Sequence, residues 1–124
     1  MALLLDTNVI IWLGNDDPKL APAIRERLLS GQDELRISMV SAWEYGQKRK
    51  LKPQELPFSF DSMVAALPHA KLDFAFELHR YAESLPLIHR DPFDRMLIAQ
   101  ALHHELTLVT PDADIRKYPI NTLW

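Results

Sequence analysis

The sequence contains no cysteine, which excludes disulfide bonds, zinc–thiolate sites and thiol nucleophiles. Only 3 of its 124 residues are glycine, which argues against a glycine-rich phosphate-binding loop. The apolar N-terminal stretch is shorter than the roughly 20 apolar residues that a membrane-spanning helix needs. It is also interrupted by Asp6 and has no basic segment before it, so it does not resemble a signal peptide. We therefore expect a protein that has no membrane segment and works in the cytoplasm.

An excess of basic residues is also missing. The formal net charge is −3 and the isoelectric point is about 5.9, whereas nucleic-acid-binding domains often have values above about 9. Any contact with nucleic acid must therefore depend on a local basic patch or on bound metal ions. Hydrophobic residues (48%) and charged residues (25%) occur in the proportions of a soluble globular protein, which excludes general disorder. The length predicts one domain, residues 1–124.

Short apolar segments alternate with longer segments of helical periodicity. This alternation predicts an α/β fold in which a central, mostly parallel sheet is flanked by helices in three layers. The predicted strands are 2–5, 35–39, 70–73, 106–110 and 120–123. The predicted helices are 7–13, 22–30, 41–50, 60–67, 74–85 and 92–104.

Four acidic residues fall at strand ends or helix starts. Asp6 ends the first strand, Glu44 lies one turn into the helix after the 35–39 strand, Asp94 begins the 92–104 helix, and Asp112 follows the 106–110 strand. In parallel sheets, ligands bind outside the carboxyl ends of the strands. We therefore expect these four carboxylates to meet at one edge of the sheet.

Such a cluster needs protons or a cation, because two carboxylates about 5 Å apart repel by roughly 3 kcal/mol. All-oxygen ligands suit Mg²⁺ or Mn²⁺, and the absence of cysteine and of paired histidines on one helix face argues against zinc. Carboxylate-held Mg²⁺ activates water and stabilises displacement at a phosphodiester. Bound cations would also let an acidic protein accept a polyanion.

Each acid also has a local interpretation that the sequence leaves open. Asp6 fits a helix N-cap, and Ser41-x-x-Glu44 fits a capping box. In the segment Asp91–Asp94, the first acid fits an N-cap before a proline and the second fits the first helical turn. Asp112 fits a turn after Pro111.

Four motifs occur in order along the chain: LLDTN from Leu4, Ser38-x-x-Ser41-x-x-Glu44, HRDPFDRMLIAQA from His89, and LVTPD from Leu108. Over essentially the whole chain they resemble the PIN domain family, and more narrowly the VapC-type toxins of bacterial toxin–antitoxin systems. The resemblance implies a metal-dependent endoribonuclease with four catalytic acids. By position, these acids are Asp6, Glu44, Asp94 and Asp112.

The resemblance also assigns roles within the motifs. Asp6 and Asp94 would be the central Mg²⁺ (or Mn²⁺) ligands, while Glu44 and Asp112 would ligate directly or through water. Asp91 is the alternative to Asp94, and we favour Asp94 because Asp91 is better used as the N-cap before Pro92. Polar residues beside the acids would hold the ligands in place: Thr7, Asn8 and Thr110.

The partners implied by the resemblance are an RNA substrate, a second copy of the chain in a homodimer, and a small antitoxin protein. The antitoxin would lay a helix across the cleft, and the apolar residues 10–13 permit a patch for it, although they fit the core equally well. Lys48 and Arg95 are candidate phosphate contacts, although Lys48 also fits favourable charge at a helix C-terminus. We expect His89 to serve a helix end or the surface rather than catalysis.

Two other classes of protein deserve comparison. A receiver domain has similar length and an acid-bound Mg²⁺, but it needs a mid-chain acceptor aspartate at a strand end and a lysine after a late strand. Here the mid-chain Asp61 lies in a helical-looking stretch, and the late strand ends without lysine. The second alternative is a PIN-like binding module that has lost catalysis, and the presence of all four acids argues against it.

Overall fold

The computed structural model describes residues 1–124 and contains one five-stranded sheet in which every pair of neighbouring strands is parallel. The α/β fold with a parallel sheet is therefore confirmed. Along the chain the strands are β1 (Ala2–Leu5), β2 (Glu34–Ser38), β3 (Ala70–Leu72), β4 (Thr107–Val109) and β5 (Thr122–Leu123). Across the sheet the order is β3-β2-β1-β4-β5.

Helices cover both faces of this sheet, which confirms the three-layer arrangement. They are α1 (Thr7–Gly14), α2 (Pro22–Leu29), α3 (Met39–Leu51), α4 (Phe60–Val64), α5 (Tyr81–Ser84) and α6 (Pro92–His103). Two short 3₁₀ segments, Phe76–Arg80 and Ile115–Lys117, complete the regular structure. None of the helices combines the length and the apolar character needed to cross a bilayer.

The alternation of side chains along β1 explains the two cores. Successive residues of a strand point to opposite faces. Leu3 and Leu5 accordingly belong to one buried cluster, with residues of α1, α2 and α4. Leu4 belongs to the other cluster, with Leu97 and Ile98 of α6. All five of these leucine and isoleucine side chains are fully buried, so β1 is the centre of the fold.

Several element boundaries differ from the sequence prediction. The predicted helix 74–85 is a 3₁₀ segment followed by the short α5, and only Leu78 and Leu85 of this stretch are buried, so no continuous buried apolar face forms. The predicted helix 60–67 ends at Val64, and the chain continues as a turn before Pro68. The helix predicted from Ser41 begins at Met39, because Ser38 is its N-cap.

The strand order places a topological switch point beside β1. The chain leaves β1 to build β2 and β3 on one side, and it then crosses to build β4 and β5 on the other side. Ligands of open parallel sheets bind at such a point, outside the carboxyl ends of the strands. The backbone N–H of Asp6 donates to the carbonyl of Val109 across 3.1 Å, so the ends of β1 and β4 lie side by side there.

Candidate metal centre

Asp6 caps a helix and faces the switch point at the same time. Its Oδ1 accepts the backbone N–H of Asn8 (3.1 Å), as an N-cap does, while its Oδ2 accepts the hydroxyl of Thr110 at the end of β4 (2.6 Å). The carboxylate is only 4% exposed. Burial raises the pKa of Asp6, the two hydrogen bonds oppose this rise, and the charges of Glu44 and Asp112 add to it. Its capping role therefore does not compete with a role in the site.

The predicted supporting residues Thr110 and Asn8 are placed differently. Thr110 is fully buried, and its Oγ1 accepts the backbone N–H of Asp112 (3.1 Å) while its hydroxyl donates to Asp6. It therefore joins the first acid to the loop that carries the last acid. Asn8 has an exposed side chain and contributes its backbone N–H to Asp6.

Glu44 is held by the hydroxyl of Thr7, which is in turn held by the hydroxyl of Ser41. Thr7 Oγ1 lies 2.6 Å from Glu44 Oε1 and 2.9 Å from Ser41 Oγ. Because the carboxylate can only accept, the single proton of Thr7 goes to Glu44 and the Ser41 hydroxyl donates to Thr7. Glu44 is 6% exposed, so these contacts fix a buried charge at the edge of the sheet.

The capping-box interpretation of Glu44 is wrong. The helix is capped three residues earlier by Ser38, whose Oγ accepts the backbone N–H of Val40 (3.0 Å). The Ser38 hydroxyl donates to Oε1 of the fully buried Gln100 on α6 (2.6 Å). This contact between distant segments sets the start of α3, and no local pattern indicates it.

Asp91 and Asp94 have separate positions at the start of α6. Asp91 is the N-cap, as predicted: its Oδ1 accepts the backbone N–H groups of Phe93 (2.9 Å) and Asp94 (3.2 Å). Asp94 turns toward the sheet edge, with 16% of its side chain exposed. Asp94, and not Asp91, lies in a group of potential metal-binding side chains, together with His89 and Asp112.

Asp112 combines a turn role with a place at the site. Its Oδ1 accepts the backbone N–H groups of Asp114 (2.8 Å) and Ile115 (3.3 Å), which begin the last 3₁₀ segment. Its Oδ2 faces His89 Nε2 at 3.1 Å. The turn interpretation is therefore correct for one oxygen atom, and the other remains available to the site.

His89 is the site residue that sequence reasoning missed. Its Nε2 lies 2.9 Å from Asp94 Oδ2 and 3.1 Å from Asp112 Oδ2, so it bridges two of the four acids. The sequence predicts a helix end or the surface for His89 and does not predict these contacts with two acids, in which 18% of its side chain is exposed. The available signal was its position two residues before the N-cap of the helix that carries Asp94.

The electrostatics show that the acids form one crowded group. Burial, together with the charges of Asp6, Asp91 and Glu44, raises the pKa of Asp94 to about 7, against the opposing effect of His89. Among the lysine and arginine side chains, Lys48 faces the group, with its Nζ 3.3 Å from Glu44 Oε2. A site of several carboxylate oxygens that is short of positive charge matches the donor set of Mg²⁺ or Mn²⁺.

The two predicted phosphate contacts lie in different surroundings. Lys48 is at the rim of the site, and 43% of its side chain is exposed. The guanidinium of Arg95 donates to the carbonyl oxygens of residues 82, 85 and 86 and to the hydroxyl of Tyr118. The structure thus gives Arg95 a role in holding the 82–86 segment, and these bonds occupy the group that would contact phosphate.

Comparison with known families identifies the class of protein. A model of the PIN domain family matches residues 3–121, so the chain belongs to this family. PIN domains are generally nucleases, and membership therefore supports a hydrolytic nuclease. A search of curated protein sequences finds no significant match.

Similar solved structures come from bacterial toxin–antitoxin complexes. DNA-bound VapBC from Salmonella typhimurium has a TM-score of 0.71 at 23% identity, covering 99% of this chain and 97% of that chain. VapBC2 from Rickettsia felis, bound to a promoter DNA fragment, has a TM-score of 0.68 at 18% identity, covering 99% and 98%. FitAcB from Neisseria gonorrhoeae has a TM-score of 0.53 at 20% identity, covering 98% and 96%. At these identities the likeness establishes the fold.

Proposed function

We propose that this chain is a metal-dependent endoribonuclease and the toxin of a VapBC-type toxin–antitoxin pair. The observation that carries the proposal is the crowded acid group at the switch point, in which the pKa of Asp94 is raised to about 7. A cluster of carboxylates that destabilise one another is the arrangement a divalent cation relieves. Membership of a family of nucleases supports the reaction class.

Asp6, Glu44, Asp94 and Asp112 would hold the Mg²⁺ or Mn²⁺, with Asp6 and Asp94 as central ligands. The bound ion would activate a water molecule and stabilise in-line displacement at the RNA phosphodiester. Thr110 holds Asp6 and Thr7 holds Glu44 through hydrogen bonds of 2.6 Å, so the two acids are oriented before substrate arrives. Preorganised ligands of this kind need no rearrangement during the reaction.

Lys48 is our proposed contact to the RNA backbone. It reaches the rim of the acid group from α3, and its ammonium is partly exposed. Lysine contacts phosphate as a point charge and reads no sequence, so this contact would position the strand without choosing it. Arg95 is not suited to this contact, because its guanidinium already donates hydrogen bonds to carbonyl oxygens.

We propose cleavage of cellular RNA as the direct test. The purified, antitoxin-free chain should cut total cellular RNA into discrete fragments with Mg²⁺ or Mn²⁺ and give no fragments with EDTA. Asp6→Asn should lower the rate at least about 100-fold, because it removes several kcal/mol of transition-state stabilisation. Asp61→Asn makes the same chemical change at an exposed position on α4 and should cut like the wild type.

Two results would contradict this proposal. Cleavage that survives EDTA or Asp6→Asn would place the activity elsewhere or in a contaminant. Metal binding without cleavage of any RNA would favour the alternative of a PIN-like binding module. The fragments themselves would identify the RNA that is cut.

The antitoxin is proposed to bind an apolar groove between α1, α2 and α4. Its lining includes Leu13, Leu29 and Met63, together with Ile10, which is only 2% exposed and belongs to the core. Leu29 is 58% exposed, so apolar surface remains uncovered there. Toxin–antitoxin complexes among the similar structures support such a partner. The test is whether a small protein encoded beside this chain copurifies with it and stops cleavage, and whether Leu29→Glu weakens both effects.

We also propose that the chain forms a homodimer in the cytoplasm. Met39 and Trp43 lie one turn apart on α3 and are 46% and 70% exposed, which leaves an apolar strip on one helix face. Light scattering on the purified chain tests this proposal: we expect the mass of a dimer, and the mass of a 14.3 kDa monomer would contradict it.

A further inference from the structure

His89 occupies the space between two acids that come from different parts of the chain. Asp94 lies at the start of α6, and Asp112 lies in the loop after β4. Potential ligand atoms of His89, Asp94 and Asp112 all lie within 4.8 Å of one another. Two like charges at this separation repel, so an element that holds both acids in place is needed before any cation binds.

The hydrogen bond on the far side of the ring determines which nitrogen carries the proton. The backbone N–H of Asp91 donates to His89 Nδ1 across 3.2 Å. A backbone N–H can only donate, so Nδ1 is an acceptor and carries no proton. The single proton of a neutral imidazole is therefore on Nε2, the atom that faces Asp94 and Asp112.

This tautomer is the reverse of the one a metal ligand needs. A histidine that binds metal through Nε2 carries its proton on Nδ1 and usually donates it to a carboxylate, a carbonyl or water. At Nδ1 of His89 the neighbour is another donor, so a proton there would face the Asp91 N–H. The local geometry thus makes His89 a donor to the acids and opposes its binding of the ion.

The backbone around His89 is anchored to the same loop as Asp112. The N–H of His89 donates to the hydroxyl of Tyr118 (2.9 Å), and that hydroxyl donates to the carbonyl of Pro86 (2.8 Å). Tyr118 is only 3% exposed and follows the turn that Asp112 begins. Arg95 also donates to the Tyr118 hydroxyl (3.2 Å). The ring of His89 is therefore positioned by buried contacts on its protein side.

We propose that His89 is a positioning residue of the metal centre, whose Nε2–H holds Asp94 and Asp112 together without itself binding the ion. This inference rests on the proposed function, since it concerns two of the four proposed ligands. It assigns a role to a residue outside the acid quartet that the family resemblance implies. It also explains why a histidine stands two residues before the α6 N-cap.

Pulsed electron paramagnetic resonance of the Mn²⁺-loaded wild type tests whether His89 binds the ion. Nitrogen bound directly to Mn²⁺ gives a ¹⁴N coupling that a nitrogen outside the ligand sphere does not give. We expect no directly bound ¹⁴N. A ¹⁴N coupling that disappears in His89→Ala would make His89 a ligand and would overturn the proposal.

Calorimetric titration with Mn²⁺ measures the positioning effect. His89→Ala should weaken binding by about 10-fold or more, as loss of a residue that orients metal ligands does. His89→Gln retains an N–H donor and should recover most of the affinity. Equal affinity of the alanine variant and the wild type would overturn the inference, as would a glutamine variant no better than alanine, with thermal melting confirming that both variants fold.

These outcomes separate the inference from the proposed function. A wild type that binds Mn²⁺ and cuts RNA, beside a His89→Ala variant with unchanged affinity, overturns the inference alone. A wild type that binds no Mn²⁺ and cuts no RNA overturns both.

Discussion

Replacement of Asp94 by asparagine should abolish metal-dependent RNA cleavage, whereas replacement of Asp91 by asparagine should preserve it. Asp94 faces His89 and Asp112 at the sheet edge, while Asp91 accepts two backbone N–H groups as the cap of α6. Loss of a charge that holds the cation should slow cleavage at least about 100-fold. Asparagine caps helices about as well as aspartate, so Asp91→Asn should leave α6 intact.

The two variants form a matched pair, because each removes one negative charge from the same helix start. Initial rates of RNA cleavage at saturating Mg²⁺ measure the effect, and thermal melting confirms folding. An inactive Asp91→Asn variant beside an active Asp94→Asn variant would exchange the roles of the two acids. That result would still agree with the proposed class of enzyme.

In the absence of metal, the stability of the folded protein should fall as the pH rises. Folding raises the pKa of Asp94 from 3.8 to about 7, through burial and the charges of Asp6, Asp91 and Glu44, while His89 opposes the rise. Between these values the folded protein keeps a proton that the unfolded chain releases. The contribution of Asp94 to the free energy of unfolding is therefore fully present below about pH 4, and it is lost as the pH rises through about 7.

A pKa rise of this size corresponds to about 4 kcal/mol without screening, and partial solvent exposure of Asp94 reduces our expectation to about 2 kcal/mol. Asp6 acts in the same direction, because burial raises its pKa too. His104 acts in the opposite direction, since burial lowers its pKa below 6.5. The change caused by Asp94 must therefore be isolated by a variant.

Melting temperatures in EDTA at about pH 5 and about pH 8 measure this effect for the wild type and Asp94→Asn. The wild type should lose more stability over this interval than the variant, and at the higher pH the metal-free variant should be the more stable protein. Mg²⁺ should restore the melting temperature of the wild type and have little effect on that of the variant. An equal pH dependence of the melting temperature in both proteins would show that Asp94 is not the acid whose pKa rises on folding.

The sequence predicts the parts of the site that depend on local pattern. The strand 2–5 ending in Asp6, and the acid, proline and acid at the start of α6, lie where the sequence analysis expects them. Asp112 follows β4 as predicted, because an apolar run that ends in polar residues marks the carboxyl end of a buried strand. Parallel strands then bring these ends to one edge.

Contacts between distant segments account for what the sequence does not predict. Ser38 caps α3 because Gln100, 62 positions away, accepts its hydroxyl. His89 joins the site because Tyr118, 29 positions away, holds its backbone. Arg95 points away from the site because three carbonyl groups of residues 82–86 accept hydrogen bonds from its guanidinium. No periodicity encodes these pairings.

Calorimetric titration of the metal-free chain with Mn²⁺, beside the Asp6→Asn/Asp94→Asn double variant, measures whether the four acids at the switch point hold a divalent cation. We predict saturable binding by the wild type and at least about 100-fold weaker binding by the double variant, since two charged ligands are lost. Equal binding by the two proteins, or no binding by the wild type, would contradict the account.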